Sequence, residues 1–300
     1  MKILIAGGRG FLGSALEKEL SSSGHEVWIL TRRRPARPAE IQWDGRSTGS
    51  WAGRLDEMDA VVNVTGYGLE HWPWTASRKR RFLQSRVGPG EALTSAIQNA
   101  RHRPAAFLQI SGINYYGTTG TGVADESYPA ADDFLAQLSV KWEAATSPVE
   151  HLGVRRVLAR SAVVLDTRGG LFPLMALPVR LWVGGPLGGG RQVVPWIHVR
   201  DAVRALRFLI EHEQARDAFN LIAPQSTSND EFMRAVARVM NRPYWLPTPG
   251  FLLRIVLGQM STLVLEGRAS RPSRLEGLGF QFRYPTINVA LADLLGGGSA

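Results

Sequence analysis

The sequence predicts an α/β protein with a doubly wound parallel sheet and a small, mainly helical lobe near its C-terminal end. Two observations support this fold class. Short apolar runs alternate with helix-patterned segments through the first half of the chain, and right-handed crossovers between parallel strands place helices on both faces of a sheet. Three glycines also recur at three-residue intervals directly after the first apolar run, where a strand should pass into a helix.

The expected strands and helices alternate regularly as far as residue 165. We predict strands over 2–6, 26–31, 41–43, 59–66, 105–111 and 154–165, and helices over 11–24, 75–100 and 132–146. Glycine and proline then interrupt the pattern over 168–192, which predicts a helix between long loops. A strand and helix over 194–213, a strand over 218–223 and two or three further helices complete the chain. We therefore expect a sheet-containing domain over 1–225, from which 168–192 reaches toward a small lobe at 226–300.

The glycines lie in the sequence GGRGFLG, between the first strand and the first helix. This arrangement lets a pyrophosphate approach backbone N–H groups at a helix N-terminus. Gly7 would permit the tight turn, Gly10 would leave room for the phosphates, and Gly13 would let the helix approach the strand. We therefore predict a Rossmann-type dinucleotide site; a flexible turn is the alternative. The residues expected to contact the cofactor here are Gly7, Arg9, Gly10, Phe11, Leu12 and Gly13.

The end of the second strand indicates which dinucleotide is bound. NAD-preferring sites place a carboxylate there, whereas this chain has Thr31 followed by Arg32, Arg33 and Arg34. Guanidinium groups bind a ribose 2′-phosphate through charge-assisted hydrogen bonds. The sequence therefore predicts NADP(H), with Arg32 as the first candidate and Arg33 as the second. At least one of the three arginines should be solvated, since they cannot all point one way.

The fourth strand ends in NVTG, so that Val64, Thr65 and Gly66 should lie beside the nicotinamide-side ribose. An ordinary strand-ending turn is the alternative.

Four segments together, GGRGFLG, NVTG, SGINYYG and WIHVRDAV, resemble the extended and atypical short-chain dehydrogenase/reductases. The run HWPWTASRKRRFLQSR and the C-terminal segment from RPYWLPTPG onward are similar to the epimerase-family branch called YfcH-like. This resemblance covers nearly the whole chain. It implies an NADP(H)-binding Rossmann domain, a small substrate-side lobe, and activity as an oxidoreductase or sugar-nucleotide epimerase.

In that superfamily a serine acts together with a Tyr-x-x-x-Lys pair on the helix after the fifth strand. The corresponding helix here, 132–146, has no tyrosine, and its only lysine, Lys141, does not complete the pair. The remaining candidates are Ser111, which could hold a substrate oxygen and border the cofactor, and Tyr115 or Tyr116 as proton donor. Buried tyrosines that only fill the loop are the alternative. A catalytically silent NADPH-binding or redox-sensing protein is the alternative function.

Charge and composition limit which other classes of partner are expected. The net charge of +9 is scattered, which disfavours nucleic acid, and the basic stretch Arg78–Arg81 with Arg86 should be a solvated helix face or a rim for an anionic substrate. His198 is expected to be structural, beside Asp201, and no metal site is predicted, since the chain has no cysteine and no metal-binding histidine spacing. No apolar run reaches the ~20 residues of a membrane span. We expect a cytoplasmic monomer or homodimer with no membrane partner and an unidentified small-molecule substrate.

Overall fold

A computed structural model describes residues 1–120 and 122–296 of the chain. The strands are β1 (Lys2–Ala6), β2 (Glu26–Thr31), β3 (Glu40–Gln42), β4 (Ala60–Asn63), β5 (Ala106–Gly112), β6 (Arg155–Ser161), β7 (Val163–Leu165), β8 (Trp196–His198) and β9 (Asp217–Leu221). The α-helices are α1 (Phe11–Ser22), α2 (Ala76–Asn99), α3 (Phe134–Ala144), α4 (Phe172–Met175), α5 (Leu177–Arg180), α6 (Val199–Glu211), α7 (Asn229–Val239), α8 (Gly250–Leu257), α9 (Thr262–Leu265), α10 (Ser273–Gly277) and α11 (Ile287–Leu295). Within the described residues, none of these helices is long and apolar enough to span a bilayer.

The main sheet has seven parallel strands in the order β3-β2-β1-β4-β5-β6-β9. The chain moves outward from β1 to β3, returns to β4 on the other side of β1, and then moves outward again. The order of strands therefore reverses beside β1, where the carboxyl ends of β1 and β4 border a crevice. In doubly wound folds ligands bind at this crevice. The predicted doubly wound fold is confirmed.

The prediction of one strand over 154–165 is wrong, because the chain changes partners at Ala162. As far as Ser161 the strand pairs with β5 and β9. The N–H of Ala162 still donates to Leu221 O at 3.0 Å, but that of Val163 donates to Pro195 O at 3.1 Å. The rest of the segment, β7, forms a separate two-stranded sheet with β8. No glycine or proline interrupts residues 154–165, and apolar residues continue through Ala162 to Leu165, so the sequence shows no break where the strand changes partners.

Three large apolar clusters hold the molecule together, one on each face of the main sheet and one beyond its edge. The first joins the sheet to α1 and α6, and the opposite face packs against α2. The third contains Phe172 and Trp196 from the middle of the chain together with Phe232 and Leu291 from the C-terminal region. The 168–192 excursion and the C-terminal lobe thus share one core, although Phe280 packs into the first cluster.

Candidate nucleotide cleft and active site

The loop between β1 and α1 has a shape that requires glycine at two positions. Gly7 has φ +88°, and a Cβ there would lie 2.9 Å from Val64 O. A Cβ on Gly13 would overlap Gly7 O. A Cβ on Gly10 would meet only Gly7 O, at 3.2 Å, so the outer side of this residue stays open. The glycines therefore bring β1, α1 and the loop after β4 into contact, and they leave the outer surface of the loop free for a ligand.

The N-terminus of α1 faces a cleft that fits an anion. Its N-cap, Gly10, provides no side-chain cap, and the first turn of the helix carries no acidic residue. Within the described residues, no hydrogen-bond acceptor is recorded for the backbone N–H groups of residues 11–13. Uncapped N–H groups and the helix dipole favour negative charge at this position. The cleft in front of them has a volume of about 320 Å³ and is lined by Arg9, Gly10, Phe11, Ser14 and Arg168. A pyrophosphate would therefore fit the donor set, with Leu12 contributing its backbone while its side chain packs into the core.

The loop after β7 covers this cleft, a feature that sequence reasoning missed. The Phe11 ring packs against Gly169, where a Cβ would lie 2.8 Å from the ring. Arg168 forms an ion pair with Asp166 at 2.7 Å between Nη2 and Oδ2. Although burial opposes it, the hydrogen bonds from Arg168 hold the pKa of Asp166 below its ordinary value. The paired glycines of RGG were the available signal, but in a glycine-rich loop they did not stand out.

The arginines after β2 differ in what they contact. All three are exposed, and no ion pair is recorded for them within the described residues. Thr31 is 5% exposed, and its Oγ1 accepts the N–H of Arg33 at 3.2 Å. Only Arg32 lines a second cleft, of about 350 Å³. Its other lining residues are Gln42, Trp43, Asp44, Ser47, Gly49, Ser50 and Trp51. The Asp44 carboxylate is already satisfied by the backbone and side chain of Ser47 and the backbone of Arg46, which lower its pKa to about 2.

The Arg9 side chain belongs to an ion-pair network beside the first cleft. It pairs with Glu40 and, at 3.6 Å, with Glu17. Arg37 pairs with the same two carboxylates, at 2.5 Å from Glu17 and 3.2 Å from Glu40. Two arginines therefore share two acids, and the charge of Arg9 is balanced within the protein. Arg9 would therefore contact a cofactor because it lines the cleft, and not because it offers an unpaired charge.

The loop after β4 is fixed by a buried pair of amides. Asn63 Nδ2 donates to Gln109 Oε1 at 2.9 Å, which ties the end of β4 to the middle of β5. Asn63 Oδ1 accepts the N–H and the hydroxyl of Thr65, at 3.1 and 2.6 Å. Val64 lies directly over Gly7, and Gly66 is exposed. The predicted residues Val64–Gly66 thus form one wall of the crevice beside the glycine loop.

Arg86 stands behind this wall, where the expectation of a solvated basic face is wrong for this residue. It is 6% exposed. Its Nη1 donates to Tyr67 O at 2.9 Å, and its guanidinium lies 4.7 Å from the centre of the Trp142 ring. Its Nε has no hydrogen-bond partner within the described residues, and burial lowers its pKa to about 10. Arg86 therefore fixes the 65–67 loop from inside.

Ser111, the second-last residue of β5, has a buried hydroxyl with no partner among the described residues. The residue is 2% exposed, and its Oγ makes no hydrogen bond within the described residues. Leaving a buried hydroxyl unpaired costs free energy. An unpaired hydroxyl at the carboxyl end of a parallel strand is suited to a ligand oxygen.

Tyr116 is buried in a polar network that joins the turn after β5 to β6, β9 and α3. Its hydroxyl donates to Asn220 Oδ1 at 2.8 Å and accepts from Arg160 Nη1 at 2.9 Å. Arg160 also makes two bonds of 2.9 Å to the Glu143 carboxylate. Burial raises the pKa of Tyr116 to about 12, although the positive charge of Arg160 opposes the change. The phenolic proton is therefore already donated to Asn220 and the oxygen is held by Arg160, which does not favour Tyr116 as a proton donor to a substrate.

Tyr115 is the less constrained of the two tyrosines. It is half-buried, and its ring lies 3.4 Å from the guanidinium carbon of Arg160. No hydrogen bond is recorded for its hydroxyl within the described residues. Arg160 thus contacts both tyrosines, holding the hydroxyl of one and the ring face of the other.

Helix α3 carries neither member of the superfamily pair on the side that faces β5. A Cβ on Gly112 would lie 3.4 Å from Ser139 Oγ, so Ser139 occupies the position next to the end of β5. Its hydroxyl donates to Leu135 O, one turn earlier, at 3.0 Å. Lys141 is exposed on the other side of the helix. The inward charged group of α3 is Glu143, which sequence reasoning missed because an acid in a helix normally indicates a solvated face.

His198 lies away from these clefts and caps α6. It is fully buried, and its Nδ1 accepts the N–H of Arg200 at 3.1 Å. Its Nε2 lies 3.2 Å from Asp293 Oδ2, and its ring stacks on Tyr284 with 3.7 Å between centroids. The partner carboxylate is thus Asp293, whereas Asp201 accepts the N–H groups of Arg283 and Tyr284. Among the described residues, no cluster of three or more histidine, aspartate or glutamate side chains could hold a metal ion.

The fold and the crevice define a Rossmann-type, dinucleotide-binding protein of the short-chain dehydrogenase/reductase class. Residues 3–221 match the NAD dependent epimerase/dehydratase family, and residues 248–294 match a domain of unknown function, DUF1731. The chain belongs to the NAD-dependent epimerase/dehydratase family.

Known proteins resemble the chain over nearly its full length. An epimerase family protein of Staphylococcus saprophyticus is 36% identical over 97% of this chain and 98% of its own. The crystal structure of human epimerase family protein SDR39U1 (isoform 2) with NADPH has a TM-score of 0.91 at 33% identity, covering 99% of this chain and 100% of that one. UDP-glucose 4-epimerase of Thermus thermophilus, solved with NAD, has a TM-score of 0.76 at 17% identity over 99% and 100% of the two chains, and this likeness concerns the fold alone.

Proposed function

We propose that the chain binds NADP(H) and transfers hydride between it and a small carbonyl compound, alcohol or nucleotide-linked sugar. The observation that supports NADP(H) is Arg32, an exposed cation on the cleft flanked by Trp43 and Trp51. No carboxylate follows β2 to take the ribose hydroxyls, and the acid in that cleft, Asp44, is used by its own turn. The human relative solved with NADPH has the same fold.

Titration of the whole chain with NADPH and NADH tests this preference. We expect NADPH to bind more tightly, because a guanidinium–phosphate bond contributes ~1.5–3 kcal/mol. Arg32→Ala should then weaken NADPH binding by about 10- to 100-fold and leave NADH binding unchanged. Arg34→Ala is the matched control, since Arg34 is also exposed but does not line the cleft. Equal binding of the two dinucleotides by the unaltered chain would refute the assignment.

The carboxyl edge of β5 would hold the substrate. Bound NADPH supplies a hydride for the carbonyl carbon. The Ser111 hydroxyl, unpaired in this structure, would donate to the carbonyl oxygen. Tyr115 is the better proton donor to that oxygen, since the Tyr116 hydroxyl already contacts Asn220 and Arg160.

Substitution of the two hydroxyls tests this arrangement once a substrate has been found by screening carbonyl compounds and nucleotide sugars against NADPH. Tyr115→Phe should lower kcat by about 10²-fold or more, the usual contribution of a positioned acid. Ser111→Ala should lower turnover about tenfold or more, while the free energy of unfolding should not fall, since no protein hydrogen bond is lost and a buried unpaired hydroxyl is removed. Tyr128→Phe, a substitution of a more exposed tyrosine, serves as the control. Full turnover in Tyr115→Phe would show that another group donates the proton.

A catalytically silent NADPH-binding or redox-sensing protein is the second candidate. It is favoured by α3, which presents Ser139 toward the end of β5 and exposes Lys141 to solvent. This candidate predicts tight NADPH binding without oxidation of NADPH by any compound in the screen.

A further inference from the structure

The lobe beyond the sheet carries a continuous exposed apolar surface, which we call the apolar patch. It contains two tryptophans and a phenylalanine, and several of its side chains are more than half exposed. Its members are Leu174, Leu177, Leu181, Trp182, Val183, Trp245, Leu246, Phe251, Leu252, Ile255 and Val256. Single exposed apolar side chains are normal, but a cluster of this size on a protein surface marks a binding site for another surface.

Two loops of the patch are joined by backbone hydrogen bonds. The N–H of Trp245 donates to Gly184 O at 2.9 Å, and that of Gly188 donates to Thr248 O at 2.8 Å. The indole N–H of Trp245 donates to Trp182 O at 3.0 Å, which places the two tryptophans side by side. These hydrogen bonds fix the backbone of both loops, which holds the two tryptophan side chains at the surface.

Helix α8 projects from this surface without burying any residue. Ile255 is 76% exposed, Phe251 60% and Val256 58%. Residues one turn apart share a face of a helix, so Phe251 and Leu252 lie beside Ile255 and Val256. A helix of these residues would normally turn this face to a core, but here it faces away from the protein.

The two chain segments that form the patch carry charge of one sign. The segments 167–200 and 232–265, which contain every member of the patch, hold eight arginines and no aspartate, glutamate or lysine. Three of these arginines, Arg180, Arg242 and Arg254, lie among the patch residues in the sequence, and no ion pair is recorded for them within the described residues. The guanidinium of Arg242 lies 4.0 Å from the centre of the Trp182 ring. The acids that border the two segments, Asp166, Asp201, Glu231 and Glu266, already have partners, as does Asp230 beside them.

We propose that the apolar patch docks on an anionic lipid surface. Tryptophan prefers the interface between headgroups and acyl chains, short apolar helices insert there, and arginines around them bind anionic headgroups. A symmetric contact with a second copy would place the same unpaired arginines close to each other, which repels. The proposal goes beyond the hydride chemistry, and it departs from the sequence-based expectation of no membrane partner.

Sedimentation of the full chain with lipid vesicles tests the proposal. Vesicles of phosphatidylcholine with phosphatidylglycerol should bind the protein, and vesicles of phosphatidylcholine alone should bind it much less. Ile255→Asp should weaken binding by about tenfold or more, because it removes an inserted side chain. Arg254→Gln should weaken it about fivefold. Added salt should reverse the contribution of the arginines but not that of the apolar side chains.

Two matched variants separate this effect from general surface changes. Val289→Asp alters an apolar side chain that is 47% exposed on α11, outside the patch, and Arg101→Gln removes an exposed arginine elsewhere. Both should bind anionic vesicles like the unaltered chain, and all four variants should keep the same thermal transition and NADPH affinity. The proposal is overturned if anionic vesicles do not bind the protein, or if Val289→Asp loses binding as Ile255→Asp does. It is also overturned if Ile255→Asp changes only the oligomeric state, which would assign the patch to a second copy.

Discussion

At the carboxyl end of the sheet, the cleft in front of α1 is shaped by backbone, whereas the edge formed by β5, β6 and β9 is shaped by buried polar side chains. In the cleft, Gly7 and Gly13 allow main-chain segments to touch, and uncapped N–H groups face outward. At the edge, Arg160 and Glu143 form an ion pair in which both side chains are less than a tenth exposed. Substitutions in the two halves of the site should therefore affect stability and cofactor binding differently.

The largest effect is expected from breaking the buried ion pair. Arg160→Met would leave Glu143 charged and unpaired, and it would remove a donor from the Tyr116 hydroxyl. Removing one partner of a buried pair costs ~3–5 kcal/mol of unfolding free energy. Denaturant titration measures this loss, and the double variant Arg160→Met/Glu143→Leu should recover much of it, because no buried charge remains.

An exposed ion pair supplies the control for this comparison. Arg234 and Asp230 lie one turn apart on α7, with Arg234 57% exposed in its side chain. Arg234→Ala should change the unfolding free energy by less than ~1 kcal/mol. If Arg160→Met were no more harmful than Arg234→Ala, the edge would not depend on its buried charges.

On the cleft side, Gly13→Ala should lower the unfolding free energy by ~1–3 kcal/mol and weaken NADPH binding. The new Cβ would overlap Gly7 O, a backbone atom that cannot move without shifting the whole loop. Gly53→Ala is the control, because apart from its chain neighbours nothing lies within 4 Å of a Cβ at this exposed position between β3 and β4. That substitution should change the unfolding free energy by less than ~1 kcal/mol. Normal NADPH affinity in Gly13→Ala would contradict the role given to this loop.

The cleft could be predicted from the sequence because its determinants are local. Gly7 and Gly13 lie six residues apart, and the strand–glycine–helix order specifies how they meet. Most strand and helix positions followed from apolar periodicity for the same reason. The position of Arg32 after β2 was equally local, since the end of a strand fixes where the next side chains lie.

The edge could not be predicted, because its contacts join residues that are distant in the sequence. Arg160 and Glu143 are seventeen residues apart, and Tyr116 and Asn220 are 104 apart. Charged residues are rarely buried, so Glu143 in a helix and Arg86 in a basic run both indicated solvent. Asn63 had a usable signal, as a polar residue at the end of an apolar strand, but its partner Gln109 depends on the register of β4 and β5.

A smaller effect, outside both halves of the site, is expected from pH. Burial lowers the pKa of His198 below its ordinary value of 6.5, although Asp293 and Asp201 oppose the change. As the pH falls below about 6.5, His198 therefore becomes protonated in the unfolded chain while it stays neutral in the folded chain. Stability is thus full above this pH and is lost below it, with a slope of at most ~1.4 kcal/mol per pH unit. Denaturant titrations between about pH 7.5 and 5 measure the slope above the range where carboxylates titrate.

Substitution of His198 tests whether its imidazole causes this dependence of stability on pH. His198→Asn keeps a side-chain acceptor for the N–H of Arg200 and removes the titrating group, so the slope should flatten. His102→Asn, at an exposed histidine, should leave the slope unchanged. If the unaltered chain instead became more stable as the pH fell, His198 would be charged in the folded state, and its attraction to Asp293 at 3.2 Å would outweigh the cost of burial. The direction of the slope therefore decides whether this histidine is a neutral helix cap or half of a buried ion pair.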